Sequence, residues 1–202
     1  MFAFSEKELR IAMMVSLVAC TAANRVSAQE ERPSEEEIGR TQVYLTPGDA
    51  MEEIFEDVAS VDTVLAVLTP EEMAGLHKML GAAVPRDSIF VFKPKDESGS
   101  LLGYAVIAEE VGKYRPITFM VGVTPELKVR NVEVLIYRES RGGEVRRSRF
   151  LRQYRGKSAD NPIRINRDIL NIAGATMSVN AMNHGVKRAL AILELLAARN
   201  SL

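Results

Sequence analysis

The amino-acid sequence predicts an α+β fold, in which an antiparallel sheet meander packs against helices and a C-terminal amphipathic helix ends the domain. Three features indicate this class. β-rich runs follow one another from residue 89 to residue 137 with short turns between them, which is the pattern of a meander. Two short segments with helix start signals precede these runs. The C-terminal segment carries apolar residues at helical spacing along one stripe.

Two short helices are predicted from threonine–proline pairs. Thr46-Pro47 supplies an N-cap and a first helical residue. Apolar residues at helical spacing follow this pair: Met51, Ile54, Phe55 and Val58. Thr69-Pro70 repeats the signal, with Glu72 as the partner of the cap in a capping box. This second helix should run to about Leu80, with Gly81 as its stop.

The strand runs come next, and turn residues separate them. The predicted strands are Ile89–Phe92, Leu101–Ala108, Ile117–Val123 and Val129–Tyr137. Apolar and polar residues alternate in the last of them, although Leu135 interrupts its polar face. We therefore expect a sheet with one face covered by helices. An irregular helix should follow over residues 145–154, and the terminal helix should run from about Val179 to Arg199.

Composition indicates one globular domain. The chain has 202 residues, of which 47% are hydrophobic and 26% charged, and single cores commonly reach this size. Its net charge of -1 does not favour a nucleic-acid partner.

The N-terminal residues have the pattern of an export signal. Lys7 and Arg10 precede the apolar run Ile11–Ala23, which is too short to span a bilayer. Val26-Ser27-Ala28 supplies the small residues that a signal peptidase reads, so cleavage before Gln29 is predicted. A buried N-terminal helix is the alternative interpretation.

The organisation that follows is a signal peptide at 1–28, an acidic linker at 29–40 and a globular domain at 41–202. Leu17-Val18-Ala19-Cys20 also resembles a lipoprotein signal box, in which the cysteine is acylated. Cys20 is therefore a possible lipid anchor. Both routes place the domain outside the cytoplasmic membrane, in the periplasm or on the outer face of that membrane, either soluble or lipid-anchored.

The segment with the most chemical content is Ala173-Gly174-Ala175-Thr176-Met177-Ser178, just before the terminal helix. Small residues leave the backbone open to a bulky ligand, and Thr176 presents a hydroxyl. A helix start favours a phosphate through its free N–H groups and its dipole. A plain turn with Ser178 as the helix N-cap explains the same residues, so from physics alone both interpretations stay open.

The run resembles the Ser-Gly-Ala-Thr motif of the FMN-binding domain found in Rnf-type electron-transport complexes and in sodium-pumping NADH:quinone oxidoreductase. Blocks upstream are similar to this family in order and spacing: Ile117–Val123, Val132–Leu135, Glu139–Gly143 and Phe150–Lys157. Three positions depart from the family pattern, and one of them is Glu144, which ends the turn after Glu139 where glycine is more common. Ala173 stands where the family usually has serine, and Leu170 stands where it usually has aspartate, with Asp168 nearby.

The resemblance implies that residues 41–202 are an FMN-binding domain. It implies FMN as the cofactor, attached through its phosphate to Thr176 by a flavin transferase that uses FAD and magnesium. The residues expected to bind it are Thr176, Ala175, Gly174, Ala173, Met177, Ser178 and Glu139. It implies an electron carrier that connects a membrane electron-transport complex with an extracytoplasmic redox partner. The alternative is a regulatory or assembly module of a membrane redox complex that binds FMN non-covalently.

The remaining candidate residues give weaker indications of function. His77 and His184 stand apart from any partners at metal-ligand spacing, so no metal site is predicted. No residue is predicted to be catalytic. Tyr104 and Tyr137 are expected to pack in the core rather than against a flavin ring. Five arginines between residues 146 and 155 are expected to be a solvated face, with a surface for a redox partner or acidic lipid as the alternative.

Overall fold

A computed structural model of the protein describes residues 40–202, in which six strands form one antiparallel sheet. The strands are β1 (Gln42–Val43), β2 (Ser60–Val67), β3 (Ser88–Lys95), β4 (Tyr104–Val111), β5 (Pro116–Val123) and β6 (Val129–Tyr137). Their order is β1-β6-β5-β4-β3-β2, so β2 to β6 form a meander and β1 extends it beside β6. The predicted signal peptide and nearly all of the predicted linker lie outside the described residues.

The helices are α1 (Pro47–Ile54), α2 (Pro70–Leu80), α3 (Ser148–Leu151) and α4 (Thr176–Ala198), and 3₁₀ turns at Gly143–Arg146 and Arg152–Tyr154 flank α3. This content confirms the α+β class, the meander and the irregular helix. The helix α4 begins three residues earlier than predicted, at Thr176 instead of Val179. Within residues 40–202, no helix combines the length and apolar character needed to cross a bilayer.

Both threonine–proline helix starts are confirmed. The hydroxyl of Thr69 accepts a hydrogen bond from the N–H of Glu72 at 3.2 Å, and the Glu72 carboxylate accepts from the N–H of Thr69 at 2.7 Å. Thr46 and Asp49 form the same capping box at the start of α1. Two reciprocal bonds satisfy N–H groups that a helix start leaves without partners.

The first helix is shorter than its apolar spacing predicts. It ends at Ile54, because Phe55 already has an extended backbone (φ -120) and Asp57 takes a left-handed one (φ 59). Val58 therefore lies outside α1. Strand β2 follows within a few residues and was not predicted. It pairs with β3 over its whole length, from Ser60 opposite Lys95 onwards.

Strand β4 begins later than predicted. Leu101 makes only an isolated bridge to Lys95, and the strand proper starts at Tyr104. Gly103 separates the two with φ 152 and packs so tightly against Val123 and Phe55 that no Cβ fits there. This close approach interrupts regular pairing.

The expectation that helices cover only one face of the sheet is wrong. On one face α4 packs over β4 and β5, and Phe119, Leu190 and Leu193 belong to the core on this side. On the other face α1 packs against β5 and β6 and buries Met120 and Leu135. Leu135 interrupts the polar pattern of β6 because that face is also buried, as the central strands of a sheet covered on both sides require.

Candidate functional site

A cleft of about 740 Å³ opens at the N-terminal end of α4. Three stretches of chain line it: Lys113 and Tyr114 from the β4–β5 hairpin, residues 139–141 after β6, and residues 174–178 at the start of α4. The volume falls within the range of about 300–1,000 Å³ that is typical of small-molecule and cofactor sites.

The structure brings nearly all the predicted site residues together. Six of the seven line this cleft: Glu139, Gly174, Ala175, Thr176, Met177 and Ser178. Ala173 lies beside it, in a neighbouring cleft that shares Gly174. The sequence did not identify Lys113, Tyr114, Ser140 and Arg141 as lining residues. Ser140 and Arg141 belong to a block of family resemblance, so the sequence carried a signal for them. The hairpin was predicted only as a turn between two strands.

The start of α4 leaves its first N–H groups open to a ligand. Ala175 is the N-cap and has no side-chain oxygen to cap the helix, and Thr176 is the first helical residue. The interpretation of Ser178 as the N-cap is therefore wrong, since Ser178 lies inside the first turn. Gly174 takes φ 80, and a Cβ built on it meets nothing within 4 Å. A phosphate can thus approach the backbone and the positive end of the helix dipole.

Ser178 is buried and connects α4 to the turn after β6. Its hydroxyl lies 2.9 Å from the Tyr137 hydroxyl, which also donates to the carbonyl of Arg141. Burial raises the pKa of Tyr137 to about 12, although the Ser178 hydrogen bond acts in the opposite direction. Tyr137 therefore remains a protonated donor and packs in the core, as predicted. Ser178 has a structural partner and contributes to the wall of the cleft.

Glu139 holds the β4–β5 hairpin that lines the cleft. Its side chain is buried, and Oε1 accepts hydrogen bonds from the N–H groups of Tyr114 at 2.6 Å and Arg115 at 2.9 Å. Gly112 permits this approach, because a Cβ there would lie 2.8 Å from Glu139 Oε1. Glu139 thus lines the cleft, while its carboxylate holds Lys113 and Tyr114 in place.

Basic side chains line both clefts that contain Gly174. Lys113 and Arg141 line the main cleft. The neighbouring cleft, of about 460 Å³, adds Arg146 and Arg147 together with Glu144. Of the five arginines that the sequence grouped as one face, only Arg146 and Arg147 line these clefts. Arginine and lysine side chains of this kind bind phosphate oxygens through charge-assisted hydrogen bonds.

The segment before the threonine run is held by Asp168. Its carboxylate pairs with Lys157 Nζ at 2.9 Å and accepts from the N–H groups of Ile163 and Arg164. Burial alone would raise the pKa of Asp168, but the hydrogen bonds from Arg164, Lys157 and Ile163 together lower it below 3.8. Asp168 is therefore engaged within its own loop. It does not take the place of the aspartate that Leu170 replaces.

The hydrogen bonds and ion pair of Asp168 predict that its contribution to folding stability is lost in acid. Because the folded pKa of Asp168 lies below its unfolded value of 3.8, its stabilising contribution is complete above that pH and is lost as the pH falls further. Asp168→Asn should lower the free energy of unfolding at pH 7 by about 1–3 kcal/mol, as expected for hydrogen bonds to a charged group. Urea denaturation from pH 7 to pH 3 should show the difference from the parent protein narrowing below pH 4, whereas a constant difference would contradict the assignment. Asp160→Asn, an exposed position in the same loop, is the control.

The remaining candidates lie away from the cleft. His77 and His184 are exposed on α2 and α4. Among residues 40–202, no group of three or more His, Cys, Asp or Glu side chains could hold a metal ion. Tyr104 packs against the core, and the aromatic ring that lines the cleft is that of Tyr114.

Comparisons with known proteins address the same region. Residues 112–191 match the family model of the FMN-binding domain, and this range contains the hairpin, Glu139 and the whole threonine run. Among solved structures, the crystal structure of Shewanella oneidensis NqrC is similar, with 18% sequence identity and a TM-score of 0.48 over 76% of this chain and 91% of that chain. No curated protein sequence matches the chain significantly.

Proposed function

We propose, given that residues 112–191 belong to the FMN-binding domain family, that this chain is an exported electron-transfer protein with FMN attached through its phosphate to Thr176. One observation supports Thr176 as the attachment point. Thr176 is exposed, lines the cleft and is the first residue of a helix whose N-cap supplies no side-chain acceptor. A hydroxyl, open backbone N–H groups and room for a cofactor therefore coincide at one residue.

The lining residues fit FMN. The first turn of α4, Lys113 and Arg141 are suited to hold the phosphate. Tyr114 and Met177 offer aromatic and apolar surface to the ring system. FMN supplies reversible electron transfer when bound, and the protein supplies orientation and electrostatics. The buried carboxylate of Glu139 accepts two hairpin N–H groups through Oε1, which favours a structural role for it and a carrier over an enzyme that uses it as a general base.

The proposed partners are a flavin transferase for maturation and a membrane electron-transport complex or an extracytoplasmic redox partner. Two large apolar side chains close to Thr176 in the chain support contact with other proteins: Leu170 is 76% exposed and Met177 is 54% exposed. The proposed location is extracytoplasmic, supported by the charged, apolar and small residues of the export signal at 1–28. Acylation at Cys20 would make the protein lipid-anchored.

Mass spectrometry of the denatured protein tests the attachment. After co-expression with a flavin transferase, the parent protein should carry an FMN adduct, and Thr176→Val should carry none, because valine keeps the shape of threonine but lacks the nucleophilic oxygen. Thr176→Ser, which keeps the hydroxyl, is the matched control and should still be modified. An adduct that persists in Thr176→Val would place the bond elsewhere.

A second function is favoured by one observation. Leu170 replaces the usual aspartate of the family motif, and Asp168 is tied to Lys157. This favours a regulatory or assembly module that holds FMN non-covalently in the same cleft. Such a protein would be yellow when folded, would release all FMN on denaturation, and would not exchange electrons with membranes supplied with NADH or quinol. A carrier would be reduced and reoxidised by them.

A further inference from the structure

The hydroxyl of Thr176 has a side-chain partner in the preceding turn. Asn171 Nδ2 donates a hydrogen bond to Thr176 Oγ1 at 2.9 Å, and both residues are exposed. The turn between them is closed by the N–H of Ala175, which donates to the carbonyl of Ile172 at 3.0 Å. From Leu170 to Met177, Asn171 and Thr176 are the two residues with polar side chains. Their contact is therefore the one polar side-chain pairing available within the run.

The residue before Asn171 is hydrogen-bonded to the 3₁₀ turn at Arg152–Tyr154. Gln153 Oε1 accepts a hydrogen bond from the N–H of Leu170 at 2.7 Å, and Gln153 Nε2 lies 3.5 Å from the Leu170 carbonyl. Gln153 adjoins Tyr154, which is buried and donates to Asn183 Oδ1 on α4 at 2.8 Å. The side-chain amide of Gln153 thus holds the backbone immediately before Asn171. Although Asn171 itself is exposed, the residue before it is bonded to a turn whose buried Tyr154 is hydrogen-bonded to α4.

We infer that Asn171 is a positioning residue for flavin attachment, holding the Thr176 hydroxyl in the orientation that attacks the phosphorus of a flavin dinucleotide. This inference rests on the proposed covalent attachment at Thr176. The amide nitrogen of Asn171 can only donate, so its N–H occupies one lone pair of Thr176 Oγ1. The hydroxyl proton of Thr176 is not involved in this bond and can be removed by a base. The other lone pair of Oγ1 remains available for the new bond.

The reaction balances without an oxidant or reductant. A bond forms between Thr176 Oγ1 and the phosphorus of the flavin-bearing phosphate. The bond from that phosphorus to the oxygen bridging the two phosphates breaks, and the nucleoside monophosphate half leaves with that oxygen. The hydroxyl proton passes to a base of the transferase or to water. Asn171 keeps its hydrogen bond to the same oxygen, and this oxygen becomes the bridging atom of the product ester.

The test measures the rate at which purified full-length protein gains flavin mass from FAD, magnesium and a flavin transferase. Asn171→Ala should lower the rate at saturating substrate protein about 10-fold or more, in keeping with losses of about 100-fold that misplacement of reacting groups can cause. The substrate concentration that gives half the maximal rate should stay unchanged. Asn171→Asp should also be slow, because a carboxylate cannot donate to Oγ1 and repels the incoming phosphate. The matched control is Asn180→Ala, an exposed asparagine on α4 outside the cleft, which should keep the parent rate.

The outcomes separate the two proposals. If the parent protein gains no flavin mass, the covalent attachment fails. If the parent is modified and Asn171→Ala reaches the same maximal rate, attachment stands and the role of Asn171 is overturned. A higher half-saturating concentration with an unchanged maximal rate would make Asn171 a transferase-docking contact, which also overturns positioning. Equal melting temperatures of the variants, measured before modification, should accompany the expected result.

Discussion

Replacing Gly142 with alanine is expected to lower the free energy of unfolding by about 2–4 kcal/mol, from left-handed backbone strain and a lost buried hydrogen bond. Gly142 has φ 88, and a Cβ there would lie 2.5 Å from Ser178 Oγ and 2.8 Å from the Tyr137 hydroxyl. Both groups would have to move, which breaks the bond between them. The turn after β6 would then separate from α4, and the cleft would widen.

Urea denaturation, and the retention of free FMN on gel filtration by protein not treated with a flavin transferase, measure the two effects of Gly142→Ala. Gly156→Ala is the matched control, because Gly156 has a similar φ of 74 but a Cβ there meets nothing within 4 Å. The control should lose only about 1–2 kcal/mol for its backbone conformation and should retain FMN. Equal losses of unfolding free energy in the two variants would show that the close approach of the alanine Cβ to Ser178 and Tyr137 adds nothing to the destabilisation.

The second large effect is expected at Gly185, where α4 lies closest to the sheet. A Cβ there would overlap the buried ring of Phe119 and lie 2.9 Å from Glu110 Cγ. Glu110 pairs with Arg188 on the same helix, so the displaced side chain would also weaken that ion pair. Gly185→Ala should destabilise the protein by a net of about 1–3 kcal/mol, since overpacking outweighs the gain of about 1 kcal/mol in helix propensity.

Gly75→Ala provides the comparison for Gly185. Gly75 is also inside a helix, but a Cβ there meets nothing within 4 Å. This variant should be more stable than the parent by about 0.5–1 kcal/mol, because alanine favours the helix. Thermal unfolding of both variants should therefore give shifts of opposite sign. A stabilised Gly185→Ala would mean that α4 can move away from β4 and β5 at little cost.

Sequence patterns predicted the elements that carry local signals. The helix starts at Thr46 and Thr69 and the apolar stripe of α4 depend on neighbours in the chain, and all three are present. Strand β2 was missed because it lies at the edge of the sheet, where most of its side chains are exposed. Coverage of the second face was missed because it depends on where α1 packs, which spacing within one segment does not determine.

Only part of the cleft was predicted, because some of its lining residues are brought there by contacts between distant parts of the chain. The threonine run and Glu139 were found because resemblance marked them. Lys113 and Tyr114 were missed, since they reach the cleft through hydrogen bonds from the neighbouring backbone to Glu139, which lies about 25 residues further along the chain. The contact between Asn171 and Thr176 is short in sequence, but no propensity rule predicts a bond between a turn amide and the first residue of an uncapped helix.

The three stretches that line the cleft determine when it can form. A nascent chain that has emerged only as far as the turn after β6 carries the hairpin and this turn, but it lacks the residues at the start of α4 that complete the cleft. The last stretch takes its place only when α4 docks on β4 and β5, many residues later. Binding of a cofactor in this cleft therefore follows tertiary folding. Under the proposed function, a flavin transferase has to act in the compartment where the chain folds.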